Sequence, residues 1–127
     1  MPESLKKILI IEDDKFLARM LGRMLESHNY DIIMAGTGKE GLLKAASQLP
    51  DLVLLDIMLP DIDGFDVLET IKNEAATQKT PVIILSNLGQ AEDRGQGSAL
   101  GAADYLVKSD LSLDQVVTKV RQYISKT

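Results

Sequence analysis

The sequence predicts a doubly wound α/β domain, a parallel sheet with helices on both faces. Five short apolar runs recur along the 127 residues: Ile8 to Ile11, Ile32 to Ala35, Leu52 to Leu55, Val82 to Leu85 and Tyr105 to Val107. Their length and β-branched content suit strands buried on both faces, as in a parallel sheet. The segments between them carry apolar residues at helical spacing. Strand followed by helix, five times over, gives five strands and five helices in one doubly wound layer structure. The length suits one domain with a single core, so residues 1–127 are read as one domain with its core over 6–124.

The first run ends on Glu12, Asp13 and Asp14, and Asp14 is read as a helix cap or solvated charge. The helix that follows is expected to turn Phe16, Leu17, Met20, Leu21, Met24 and Leu25 to one face. His28, the one histidine, falls at its end and is given no catalytic role. The second run leads into "MAGTGKEG", where Gly36, Gly38 and Gly41 spell the G-x-G-x-x-G dinucleotide fingerprint and Asp56 follows Gly36 by twenty positions. The same residues also read as a helix start, because Thr37 and Glu40 have capping-box spacing. A P-loop is excluded, since residue 40 is Glu and residue 33 is Ile.

The third run ends on Asp56 and the fourth on Ser86. The segment Gly89 to Gly101 holds four glycines, each costing about 1 kcal/mol in a helix interior, so the fourth helix should be the least stable of the five. The fifth run ends on Lys108. The last helix opens on the capping pair Ser112 and Gln115 and is expected to bury Leu113, Val116, Val117, Val120 and Ile124.

Composition narrows the function classes. Hydrophobic residues make up 45% and charged residues 26%, the balance of a globular protein. The net charge is −5 and no basic run exceeds Lys6-Lys7, which argues against a nucleic-acid surface. With no cysteine, disulfides and thiolate chemistry are excluded. The apolar runs are too short for a signal peptide or membrane span, so the chain is read as soluble and cytoplasmic.

In open parallel sheets ligands bind beyond the carboxyl ends of the strands. Glu12, Asp13, Asp56, Ser86 and Lys108 all follow apolar runs and would meet there. Carboxylates crowded together raise one another's pKa unless a cation sits among them. Oxygen ligands without His or Cys suit magnesium. A carboxylate beside magnesium, a lysine and a hydroxyl can attack phosphorus, because the cations neutralise charge on the transferring group.

Four segments, "IIEDDK", "DLVLLDIMLPDIDGFDVL", "PVIILSN" and "ADYLVKS", resemble the receiver domain of two-component response regulators, over essentially Lys6 to Ile124. The resemblance implies the flavodoxin-like receiver fold with strand order 2-1-3-4-5. It implies that Asp56 accepts a phosphoryl group from a histidine kinase or histidine phosphotransfer protein. Glu12 and Asp13 match the acidic pair that holds Mg2+, completed by Asp56 and the backbone carbonyl of Met58. Ser86 matches the hydroxyl that moves to the phosphoryl group, Lys108 the lysine that pairs with it, and Tyr105 the aromatic that swings inward. The implied output is a changed surface on helix four, strand five and helix five that controls a downstream protein. The strand order also places "GTGKEG" at the sheet edge, away from the crevice, and so favours the helix-start reading.

Two positions depart from the family pattern. Ser109 stands where proline is usual, often with a cis bond, so the loop is expected to be trans and to hold Lys108 differently. Asn87 stands where a small residue is usual and should narrow access to the phosphoryl group. Met58 and Leu88 are apolar at the positions that tune attack by water, which predicts slow self-dephosphorylation. The chain ends three residues after Ile124, so the domain is read as acting through a partner or as cut from a longer protein. The chain is expected to be a signalling switch, catalysing only its own phosphorylation and dephosphorylation. A receiver-like module that docks without phosphorylation is the alternative. A haloacid-dehalogenase-like enzyme would need an aspartate where Met58 stands.

Overall fold

A computed structural model describes residues 5–124. Its elements alternate as the apolar pattern predicts: β1 (Lys7–Ile11), α1 (Lys15–Ser27), β2 (Asp31–Ala35), α2 (Gly38–Gln48), β3 (Leu52–Leu55), α3 (Gly64–Asn73), β4 (Val82–Ser86), α4 (Ala91–Ala99), β5 (Asp104–Val107) and α5 (Leu113–Tyr123). The five strands form one parallel sheet in the order β2-β1-β3-β4-β5. This is the flavodoxin-like doubly wound fold.

Alternation along each strand divides the core in two. Ile8, Ile10, Leu52, Leu54, Ile83 and Leu85 face α1 and α5, while Leu9, Ile11, Val53, Leu55, Val82 and Ile84 face α2, α3 and α4. Each such side chain, fully buried, stabilises the fold by roughly 1.5–3 kcal/mol before entropy is counted. β1, β3 and β4 are buried along almost their whole length. β2 departs from the expected burial on both faces. It is an edge strand, and Asp31 and Met34 are exposed while Ile32 and Ile33 are half-buried.

α1 also departs from its expected face. Ala18, Leu21, Gly22 and Leu25 are buried, whereas Phe16 is 73% exposed and Met20 38%. The helix packs close to the sheet, so the inward stripe includes small residues; a Cβ on Gly22 would meet Met34 Cε at 2.4 Å. Leu17 and Met24 only flank that stripe. Asp14 is the N-cap, its Oδ1 accepting from Phe16 N at 3.0 Å and Leu17 N at 3.1 Å. α5 follows the sequence closely, with Val116, Val117 and Val120 buried, Leu113 and Ile124 half-buried, and a complete capping box at Ser112 and Gln115.

α4 meets β5 through Arg94, whose guanidinium donates to the Tyr105 carbonyl at 3.3 Å, and approaches the sheet most closely at Gly97. Only Gly97 is buried, and a Cβ there would lie 2.8 Å from Ile84 Cδ1 and 3.3 Å from Tyr105 Cδ2. Gly95, two residues earlier, faces open space. Gly101 ends the segment at φ +98°, a left-handed conformation that glycine adopts without strain. Among the described residues, no helix is long and apolar enough to cross a membrane.

Candidate functional site

The strand register assembles the site. Ile11 pairs with Leu55, Leu55 with Ile84, and Ser86 with Val107. Glu12, Asp56, Ser86 and Lys108 therefore emerge side by side along one edge of the sheet. Strand ends in solvent would leave such residues exposed, yet Glu12, Asp56 and Ser86 are all buried.

Carboxylate oxygens of Glu12, Asp13 and Asp56 lie within 4.8 Å of one another, with Asp13 on the exposed side. Lys108 Nζ reaches Glu12 Oε1 at 2.6 Å and Asp56 Oδ2 at 3.0 Å. Asp56 Oδ1 accepts from Met58 N at 3.2 Å, and Glu12 Oε2 accepts from Asp14 N at 3.0 Å. Burial, with the Asp56 charge adding to it, pushes Glu12 up to about 7 against the opposing bonds from Lys108 and Asp14 N. Burial works against the Lys108 ammonium as well, but its bonds to Glu12 and Asp56 prevail and hold it above its ordinary value.

Ser86 and Tyr105 grip one residue from two sides. Ser86 Oγ accepts from Leu88 N at 3.3 Å, and the Tyr105 hydroxyl donates to the Leu88 carbonyl. The Tyr105 ring is turned inward and buried, with the Arg94 guanidinium 5.5 Å above its centroid. Burial, helped by the Asp93 charge, raises the Tyr105 phenol above its ordinary value.

The loop around Ser109 contains no cis bond. Lys108 opens a short 3-10 turn, Lys108–Asp110, and its ammonium reaches Asp56 with every bond of this loop trans. Asn87 is exposed. Met58, bonded through its N–H to Asp56, is 61% exposed, and Leu88, bonded through its N–H to Ser86, is half-buried. His28 caps the C-terminus of α1 and its Nδ1 lies 2.8 Å from Arg121 Nη2; it precedes β2, at the opposite end of the parallel strands from the carboxylates that follow β1 and β3.

A model of the response regulator receiver domain family matches residues 8–121. The chain belongs to that family. This receiver domain is 37% identical over 121 residues to the DNA-binding dual master transcriptional regulator RpaA of Synechocystis, covering 95% of this chain and 50% of the relative. It is 38% identical over 120 residues to the response regulator ArlR of Staphylococcus saprophyticus, covering 94% and 53%. The chain thus spans about half the length of these relatives. In fold it is similar to the chemotaxis protein CheY4 of Vibrio cholerae, with a TM-score of 0.89 at 23% identity, over 95% of this chain and all of the other.

Every site residue expected from the sequence falls within this cluster or borders it. Three relationships were not legible there: the Glu12–Lys108 pair, the shared hold on Leu88, and the bonds that Asp61 makes to the start of α2. The first had a signal, an excess of carboxylates over the one lysine at the strand ends. The others run through backbone atoms, which any residue supplies.

Proposed function

We propose that this receiver domain is a phosphorylation switch whose acceptor is Asp56. The observation that carries the reading is the buried Asp56 carboxylate, bonded to the Lys108 ammonium at 3.0 Å and set beside two further carboxylates. A carboxylate so placed is a nucleophile, and the surrounding charges are those that phosphoryl transfer requires.

An Asp56 oxygen attacks phosphorus of a phosphohistidine on a histidine kinase or phosphotransfer protein. The P–N bond breaks, an acyl phosphate forms, and the departing imidazole takes up a proton. Lys108 then pairs with a phosphoryl oxygen in place of the Asp56 oxygen it now holds. Ser86 turns its hydroxyl to another and gives up its bond to Leu88 N.

The oxygen-only donor set, with carboxylates within 4.8 Å, fits Mg2+ held by Glu12, Asp13, Asp56 and the Met58 carbonyl. When bound, it neutralises charge on the transferring phosphoryl group. Tyr105 shares Leu88 with Ser86, which couples the hydroxyl to the α4 side of the sheet. The altered surface is α4, β5 and α5, read by a downstream protein, with residues 1–127 acting as one receiver unit in the cytoplasm. Its only catalysis is its own phosphorylation and dephosphorylation.

Intact-mass spectrometry after incubation with Mg2+ and acetyl phosphate tests the reading, with Asp56→Asn alongside. A single phosphoryl adduct on wild type alone, lost on chelation of Mg2+, is expected. No adduct from acetyl phosphate or from a competent histidine kinase would instead indicate a domain that docks without phosphorylation.

A further inference from the structure

The loop between Asp56 and α3 is tied to a neighbouring helix by one side chain. Asp61 Oδ1 accepts from Gly38 N at 2.8 Å, and its Oδ2 accepts from Lys39 N at 2.9 Å. These N–H groups open α2, where no helical carbonyl is available to them and the helix dipole favours an anion. The glycine fingerprint in "GTGKEG" is therefore filled by a carboxylate of this same chain. Thr37 Oγ1 accepts from Glu40 N at 3.1 Å, and Glu40 Oε1 takes Gly36 N at 2.7 Å, one residue before the usual capping-box partner. The turn's donors are thus shared between its own side chains and Asp61.

Ile62 reinforces the tie. It lies so close to Gly38 that a Cβ there would meet Ile62 Cγ1 at 2.3 Å. The Lys39 and Gly38 N–H groups hold the Asp61 carboxyl below its ordinary value, favouring the charged form that accepts both bonds.

Nearer Asp56 the loop is fixed at its base, where Ile57 O accepts from Leu59 N at 3.1 Å and Gly64 N at 2.9 Å. A side chain at Gly64 would strike Ile57 Cα at 2.3 Å, so the two ends of the loop touch. Asp61 holds its far tip. Met58 lies within that base, bracketed by the Ile57–Leu59 bond and with its N–H bonded to Asp56 Oδ1; its side chain is largely exposed, so these backbone bonds and the hold on the tip, rather than packing, set its peptide.

We propose that Asp61 is a positioning residue for the phosphorylation site, pinning the loop to α2 so that the Met58 peptide stands correctly against Asp56. The inference rests on the function proposed above, in which the Met58 carbonyl is a cation ligand. Asp61 touches neither the cation nor the phosphoryl group; it acts through the peptide its loop carries. A helix cap that serves only α2 would change stability and nothing else.

The experiment compares wild type with Asp61→Ala, Asp61→Asn and Lys39→Pro. The last removes one donor and leaves Asp61 in place, in the first helical turn where proline is tolerated. Calorimetric titration with Mg2+ should show roughly tenfold weaker binding for Asp61→Ala, the scale at which supporting residues tune a metal site. Asp61→Asn, which keeps one strong acceptor, should fall between. In metal-free protein, amide exchange at Met58 should quicken in Asp61→Ala and Lys39→Pro. Phosphorylation by acetyl phosphate should slow at low Mg2+ and recover at saturating Mg2+.

Unchanged Mg2+ affinity and unchanged Met58 exchange, with a lower melting temperature, would overturn the inference and leave a helix cap. Should Asp61→Ala fail to fold, Lys39→Pro decides the matter by the same readouts. Wild type that binds Mg2+ and is phosphorylated, beside variants that do so equally well, defeats this inference alone. Wild type that is never phosphorylated defeats the underlying reading first.

Discussion

Lys108 Nζ stands 2.6 Å from Glu12 Oε1 and 3.0 Å from Asp56 Oδ2, so one ammonium bridges two buried carboxylates. With Asp13 alongside, three carboxylates face one cation. That excess of carboxylates over the one ammonium makes both the lysine and the charge state of Glu12 matter to stability.

Replacing the ammonium should therefore cost stability. Lys108→Met keeps the bulk and removes the charge, leaving Glu12 and Asp56 to repel each other. Breaking a fully buried pair costs roughly 3–5 kcal/mol, and the part-exposed lysine here should bring the loss to about 2 kcal/mol at pH 8. The raised folded pKa of Lys108 means this stabilisation is present throughout the neutral range and lost only as pH rises above the lysine's ordinary value. Urea unfolding of metal-free protein checks it. Equal midpoints for the two proteins would show that the bridge contributes nothing.

Glu12 should make both stability and cation binding pH-dependent. Its folded pKa of about 7 exceeds the ordinary 4.5, so the folded state holds a proton that the unfolded state has released. That contribution is complete below pH 4.5 and disappears as pH rises through 7. A cation must displace the same proton, so Mg2+ affinity should fall as pH drops below 7. Calorimetric titrations at pH 8 and pH 6 should differ accordingly, and Glu12→Gln should lose the proton-linked part of the difference.

Much of this fold is legible in the sequence because a buried parallel strand needs a continuous apolar run, and β1, β3 and β4 have one. The inward face of α1 is legible only in part: Leu21 and Leu25 are buried as the spacing predicts, but Ala18 and Gly22 are inward too, and small residues carry little hydropathy signal. Phe16 carries a strong signal and is exposed. The site was legible because its residues follow directly on the strands, where register alone brings them together. Asp61 was not, since its partners are the backbone amides of Gly38 and Lys39 across the fold.

Two glycines of α4 should respond to the same substitution with opposite sign. Gly95→Ala adds a methyl group into open space within a helix and should stabilise the domain by about 0.5–1 kcal/mol. Gly97→Ala places its methyl group 2.8 Å from Ile84 Cδ1 and 3.3 Å from Tyr105 Cδ2, inside the core. Overpacking costs about 1–3 kcal/mol, and because Ile84 is fully buried and the Tyr105 ring closes the other side, that cost should exceed the roughly 0.5–1 kcal/mol that alanine gains in a helix. Urea midpoints should move apart. A Gly97→Ala protein as stable as wild type would mean that α4 can lift from the sheet at little cost.

The phosphorylated state should be long-lived. Hydrolysis of an acyl phosphate needs water held in line with the bond to be broken, and a side chain able to bond that water speeds it. Met58 adjoins Asp56 and Leu88 adjoins Ser86, and their side chains offer hydrocarbon and a thioether only. Met58 is 61% exposed, so its side chain can be exchanged without disturbing the core. The backbone of Leu88 is already held by Ser86 and Tyr105, so a new side chain there would leave from a fixed point. Met58→Asn with Leu88→Glu supplies an amide and a carboxylate at the rim of the site, and the doubly substituted protein should lose its phosphoryl group faster than wild type. Decay of the phosphoryl adduct, followed by intact mass after the phosphodonor is removed, measures both rates. Faster decay in wild type would show that the water is oriented by some other group, and the exposed Asn87 would be the first to replace.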